Sequence, residues 1–77
     1  MPTFKMGARV RVRIENHVQD GLTGKIDGIW PGGDQLGDGY SYFVRLDVPP
    51  LTPEQIDAGA ERPPETADLE SHEIEAA

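Results

Sequence analysis

Three arginines at alternate positions, Arg9, Arg11 and Arg13, are the residues whose type and spacing come nearest to a chemistry. Such a row offers guanidinium groups to phosphate or to an acidic partner, or it lies solvated opposite carboxylates of a neighbouring strand. Nucleophilic catalysis has little to work with. The chain has no cysteine, and its serines are Ser41 and Ser71. Ser71, His72 and Glu73 are neighbours in sequence, whereas a triad is assembled in space. His72 with Glu70 and Glu73, and the isolated His17, match no metal-ligand spacing. Pro31-Gly32-Gly33-Asp34 lacks the lysine and the following helix of a phosphate loop, and reads as a hairpin turn. No catalytic residue, metal ligand or cofactor is expected.

The net charge of -7 is unevenly placed. Residues 1–47 balance, with Lys5, Arg9, Arg11, Arg13, Lys25 and Arg45 against Glu15, Asp20, Asp27, Asp34, Asp38 and Asp47. Beyond them Arg62 alone faces Glu54, Asp57, Glu61, Glu65, Asp68, Glu70, Glu73 and Glu75. An acidic chain is a poor non-specific ligand for a phosphate backbone, although a local basic face is still compatible with it. No apolar run approaches the roughly 20 residues that cross a bilayer, and Met1-Pro2-Thr3-Phe4 does not open a signal peptide. With no cysteine, a soluble cytoplasmic protein is expected.

The elements that must hold these residues are strands. From Arg9 onward, Val10, Val12 and Ile14 alternate with the arginines, so a strand over about 8–15 buries one set and wets the other. Asp20-Gly21 closes a polar loop. A second strand over 22–30 follows, with Leu22, Gly24, Ile26, Gly28 and Trp30 on one parity. Its glycines permit bending and close backbone approach. Ile29 has the wrong parity for the core; a bulge near Gly28 would bring it inside, and without one it is exposed. The glycine-rich stretch 31–39 is a hairpin loop. Strand three, over 40–47, turns Tyr42, Val44 and Leu46 inward with Tyr40 extending that face, and turns Phe43 outward with Ser41, Arg45 and Asp47.

Val48-Pro49-Pro50 ends that strand. Thr52-Pro53-Glu54-Gln55 is a compact helix start with an N-cap threonine, proline at the first turn and Gln55 at capping-box spacing; Gly59 ends the helix. A short helix over 53–58 is expected, with Ile56 or Leu51 docked on the sheet. Glu61-Arg62-Pro63-Pro64-Glu65-Thr66 reads as linker. The acidic segment 68–77 is assigned to a closing strand with Ile74 inside and Leu69 docked ahead of it, a short helix being the competitor.

Phe4-x-x-Gly7-x-x-Val10-Arg11-Val12, Gly21-Leu22-Thr23-Gly24-Lys25-Ile26 and Tyr42-Phe43-Val44-Arg45-Leu46-Asp47 together resemble the SH3-like small barrel of KOW-motif ribosomal and transcription proteins. The layout is also similar to photosystem I subunit PsaE and to the barrel domain of nitrile hydratase β subunits. The resemblance spans about residues 4–47, plus the tail if it closes the barrel. It implies a single mostly β domain over 1–77, a small barrel of four to five antiparallel strands with one short helical turn before the last. RNA-binding KOW modules are basic, and this chain is acidic. Small barrels host unrelated functions.

The expected function is therefore a non-enzymatic protein-interaction module or accessory subunit. Its candidate contact residues are Arg9, Arg11, Arg13, Trp30, Tyr40, Phe43 and Arg45. The alternatives are a KOW-like nucleic-acid or ribosome-associated module using Arg9, Arg11, Arg13, Lys25 and Arg45, and a small assembly subunit of an enzyme complex. A protein partner is expected, nucleic acid is disfavoured by the charge, and pairing of edge strands leaves a homodimer open. A third arrangement has the acidic tail folding over the arginine row and neutralising it.

Overall fold

The computed structural model describes residues 1–33 and 36–77. Asp34 and Gln35, which belong to the glycine-rich loop, lie outside the described residues. Five strands form one antiparallel sheet: β1 (Arg9–Val12), β2 (Thr23–Pro31), β3 (Tyr40–Leu46), β4 (Thr66–Glu70) and β5 (Ile74–Ala76), in the order β4-β3-β2-β1-β5. The helix α1 (Pro53–Asp57) lies between β3 and β4, and a 3-10 turn over Ser71–Glu73 joins β4 to β5.

The alternation of the first strand does what its residue types dictate: Val10 and Val12 are buried while Arg9 and Arg11 are exposed. The core is Val10, Val12, Ile26, Tyr42, Val44, Leu46, Leu69 and Ile74, with Phe4, Ile14, Leu22, Ile29 and Tyr40 packed against it. The inward face of every strand contributes to it.

The two edges of the ladder, β4 and β5, are consecutive in sequence. A flat five-stranded sheet is about 19 Å from edge to edge. The four peptide steps from Glu70 to Ile74 reach at most about 14 Å even when extended, and here they include a 3-10 turn. The sheet therefore curls until its edges approach at that end, while the hydrogen-bonded ladder stays open. The side chain of Gln19, 4% exposed, ties the loop between β1 and β2 to the start of β4, donating to the carbonyls of Pro64 (2.9 Å) and Thr66 (3.3 Å).

The C-terminal segment differs from expectation. The acidic tail is two strands and not one, and β4 begins at Thr66, inside the stretch read as linker. Leu69 is a core residue of β4, and Ile74 is buried as expected at the start of β5. The 3-10 turn between them resets the parity, so both can face inward although five positions apart. The first strand is also shorter than expected, ending at Val12, after which Arg13 N–H donates to the Glu73 carbonyl (2.7 Å).

α1 has its expected cap: the Thr52 hydroxyl accepts from Gln55 N–H, and the Gln55 side chain accepts from Thr52 N–H. Of the two residues expected to dock it, Leu51 ahead of the helix is partly buried, but the helix itself does not dock through Ile56. None of its residues is buried, and Ile56 is 60% exposed. The excursion is closed at its base by Arg62, whose guanidinium donates to the carbonyls of Val48 (2.7 Å) and Pro49 (3.3 Å) and pairs with Glu65 (2.8 Å). No helix among the described residues is long and apolar enough to cross a membrane.

Candidate functional site

A bulge decides which side chains reach the outer face of the sheet. β2 and β3 pair in register from Gly24↔Leu46 to Ile26↔Val44, then resume at Gly28↔Phe43, leaving Asp27 as the extra residue. One inserted residue reverses parity. Ile29 swings inward opposite Tyr42 and packs on the core, which settles its two readings in favour of the bulge. Trp30 moves the other way. The bare alternation of β2 puts it on the core parity, yet it is outside and 54% exposed, opposite Ser41.

Cross-strand partners share a face, so the register lays the outer surface out in rows. One row is Trp30, Ser41 and Glu70, and the next is Gly28, Phe43 and Asp68. The third is Arg9, Lys25, Arg45 and Thr66, and Arg11 follows between Thr23 and Glu75. Trp30 and Phe43 meet edge to face with centroids 6.4 Å apart. The indole benzo ring lies over Gly28, where an added Cβ would come within 2.3 Å of it. The outer face is thus polarised, aromatic with carboxylates at one end and basic at the other.

Two of the three arginines of the row, and Arg45 beside it, form exposed ion pairs within the molecule. Arg9 pairs with Asp47 (2.5 Å), Arg13 with Glu75 (3.5 Å) and Arg45 with Asp27 (3.2 Å). The acidic tail does not fold over the row; as β5 it lies beside β1, with Glu75 opposite Arg11. A cleft of about 390 Å³ next to Arg11 and Arg13 is also lined by Glu15, Asp20 and Glu75. A second, of about 290 Å³, sets Arg9, Lys25 and Arg45 among Asp27 and Asp47. Both clefts mix charges: carboxylates outnumber cations in the first, and in the second Lys25 alone is left over, too little to hold a phosphate backbone by charge.

Tyr40, the remaining candidate, is on the opposite face from Trp30 and Phe43. It is partly buried against the core and pairs with Pro31. The structure brings Trp30 and Phe43 together, brings Arg9, Lys25 and Arg45 together, and separates Tyr40 from both groups. Asp68 and Glu70 beside the aromatics were missed at the sequence level. Their signal was the alternation of Thr66, Asp68 and Glu70 with Ala67 and Leu69, which becomes legible once the strand starts at Thr66.

Asp38 was also missed. It ties three parts of the chain together: its carboxylate accepts from the Tyr42 hydroxyl, Thr3 N–H (2.7 Å) and Tyr40 N–H (3.0 Å), and its own N–H donates to Ser71 Oγ (2.8 Å). Burial pushes the Asp38 carboxyl up, but the hydrogen bonds from Tyr42, Thr3 and Tyr40 outweigh it and hold the group well below the usual carboxylate range. Burial, followed by the bond to Asp38, raises the Tyr42 hydroxyl. These groups are a structural tie. Because the native carboxyl is depressed, its stabilisation is complete above its ordinary value of 3.8 and is lost as pH falls from there toward the native value. Asp38→Asn is expected to cost about 1.5 kcal/mol at pH 7. Urea midpoints of the two proteins should draw together as pH falls below the ordinary carboxyl value of 3.8; a difference that persists unchanged would show that the charge of Asp38 contributes nothing.

Among the described residues, no group of three histidine, aspartate or glutamate side chains is arranged to hold a metal ion. The chain matches no family model, no curated protein and no solved structure.

Proposed function

We propose that this chain is a non-enzymatic protein-interaction module on an SH3-like small barrel, left open along one seam, and that its contact surface is the outer face carrying Trp30 and Phe43. One observation carries the reading. Trp30 is held on the outside of the sheet by a bulge, braced by Phe43 and seated on Gly28, with half of its surface open to solvent. Burying so large a side chain against a partner is a strong source of affinity, and tryptophan is enriched among residues that dominate interfaces. The SH3-like reading draws support from the curl of the sheet and from the 3-10 turn between the last two strands. A cytoplasmic setting agrees with a chain free of cysteine.

The test is a pull-down from native host lysate, with and without nuclease, comparing the wild type with Trp30→Ser/Phe43→Ser and Arg11→Glu/Arg13→Glu. The expected result is a protein partner that survives nuclease, is lost by the aromatic variant and is kept by the arginine variant. Partners lost on nuclease treatment together with the arginine variant would replace this reading with the KOW-like one. Recovery of a larger enzyme at fixed stoichiometry would make the chain an assembly subunit.

A further inference from the structure

We propose that the Trp30–Phe43 surface takes a cationic side chain, an arginine above all, from a basic segment of the partner. The inference rests on the interaction-module reading and names its ligand class. Two independent observations converge on it. The first is the aromatic pair itself: an indole 54% exposed, with its ring edge-on to Phe43. The face of an indole attracts a cation, and a guanidinium stacks on it better than an ammonium does. The second is the charge beside it. Asp68 is the cross-strand partner of Phe43, is exposed, and makes no ion pair with any described residue. Cross-strand partners hold their Cβ atoms about 5 Å apart, so the Asp68 carboxylate stands beside the aromatic pair. Asp68 lies on the far side of Phe43 from Gly28, over which the indole sits, so a long cationic side chain laid across Phe43 spans π density and a carboxylate.

The opposite end of the same face supplies the discrimination. One row away Lys25 carries no ion pair with any described residue, so a basic segment extending toward it meets like charge. That fixes the cation at the Trp30 end. An acidic segment would be attracted to the basic row but repelled by Asp68, and it would gain nothing from the indole. The excess of negative charge beyond residue 47 adds a general attraction for basic chains. That general attraction is the competing explanation the experiment must separate.

Trp30 is the sole tryptophan, so its emission reports on the site directly. The probe is a blocked octapeptide alternating glycine and arginine, titrated into the full chain at low salt. Its glycine–lysine, glycine–glutamine and glycine–glutamate counterparts serve as comparisons. The expected result is a saturable change in Trp30 emission with arginine, a weaker one with lysine and none with glutamine or glutamate. Asp68→Asn should weaken the arginine peptide about fivefold, whereas Asp57→Asn on α1, which removes the same charge far from the aromatics, should leave it within about twofold. Equal weakening by both variants would reduce the binding to net charge and overturn the proposal. Absence of a saturable change, or no preference for arginine over glutamine, would overturn it too. If the peptides fail while Trp30→Ser/Phe43→Ser still abolishes capture of a host partner, the interaction module stands and only its ligand class is wrong.

Discussion

Tyr42→Ala is expected to remove about 3–5 kcal/mol of folding stability, a large share of what a chain of this size has. Tyr42 has no exposed surface and is the largest of the fully buried side chains. Its ring meets Phe4 edge to face at 5.5 Å, and its hydroxyl donates to Asp38 and accepts from Thr3 N–H (2.9 Å). Truncation removes the ring, opens a cavity, and strips Asp38 of one of the donors that keep its carboxylate ionised. The first two terms alone cost about 3–5 kcal/mol, and a chain of this size has only about 4–12 kcal/mol to lose. Tyr42→Phe keeps the ring and loses the hydroxyl, so it should stay folded with a midpoint lowered by about 1–2 kcal/mol. Far-UV circular dichroism and urea denaturation of the two variants decide the matter. A Tyr42→Ala protein with a wild-type midpoint would show that the core is not organised around this ring.

How legible this was in the sequence varies from residue to residue. The inward positions of Val10, Val12, Ile26, Val44 and Leu46 follow from a period of two and are as expected. So is the capping box at Thr52 and Gln55, because that signal is local and complete within four residues. What failed was whatever depends on a break in the period. The bulge at Asp27 leaves no compositional mark beyond the glycine that follows it, so bare alternation assigns Trp30 to the core and leaves Ile29 undecided. The 3-10 turn at Ser71–Glu73 likewise hides one parity change, and reading through it merged β4 and β5 and put Leu69 outside a strand. Ile56 failed for another reason. An apolar residue in a helix of five residues has no second apolar position at helical spacing with which to form a stripe, so nothing draws the helix onto the sheet.

The candidate surface was legible only in part, for a connected reason. Phe43 was placed outward correctly from parity alone, while the contact between Phe43 and Trp30 exists only because the bulge reverses the second half of β2. The arginine row was legible as a row, but its ion pairs were not. Asp47 and Asp27 come from other strands, and Glu75 from β5, and the register that brings them to Arg9, Arg45 and Arg13 is a tertiary fact. Alternation therefore located the basic face and overstated how much of it is available to a partner.

Gly24→Ala should destabilise the fold by about 3 kcal/mol, against the trend by which alanine in a strand improves on glycine by about 0.5–1 kcal/mol. Gly24 is buried where β2 passes between β1 and β3, paired with Val10 on one side and Leu46 on the other. A Cβ there would lie 2.4 Å from the Arg45 carbonyl oxygen and 2.8 Å from the Leu46 Cα. Both are backbone atoms held in the ladder, so relief requires the two strands to separate. Gly28→Ala meets a comparable overlap, 2.3 Å, but with the outer edge of the Trp30 ring, which can rotate into solvent. Its stability should change by less than about 1 kcal/mol, while Trp30 emission shifts to the red and the arginine peptide binds more weakly. The pair of variants separates two uses of glycine in one strand. If Gly24→Ala were neutral, β2 and β3 would not approach as closely at Gly24 as the structure places them. If Gly28→Ala left Trp30 emission and peptide binding unchanged, the seat beneath the indole would not be what holds the aromatic surface in place.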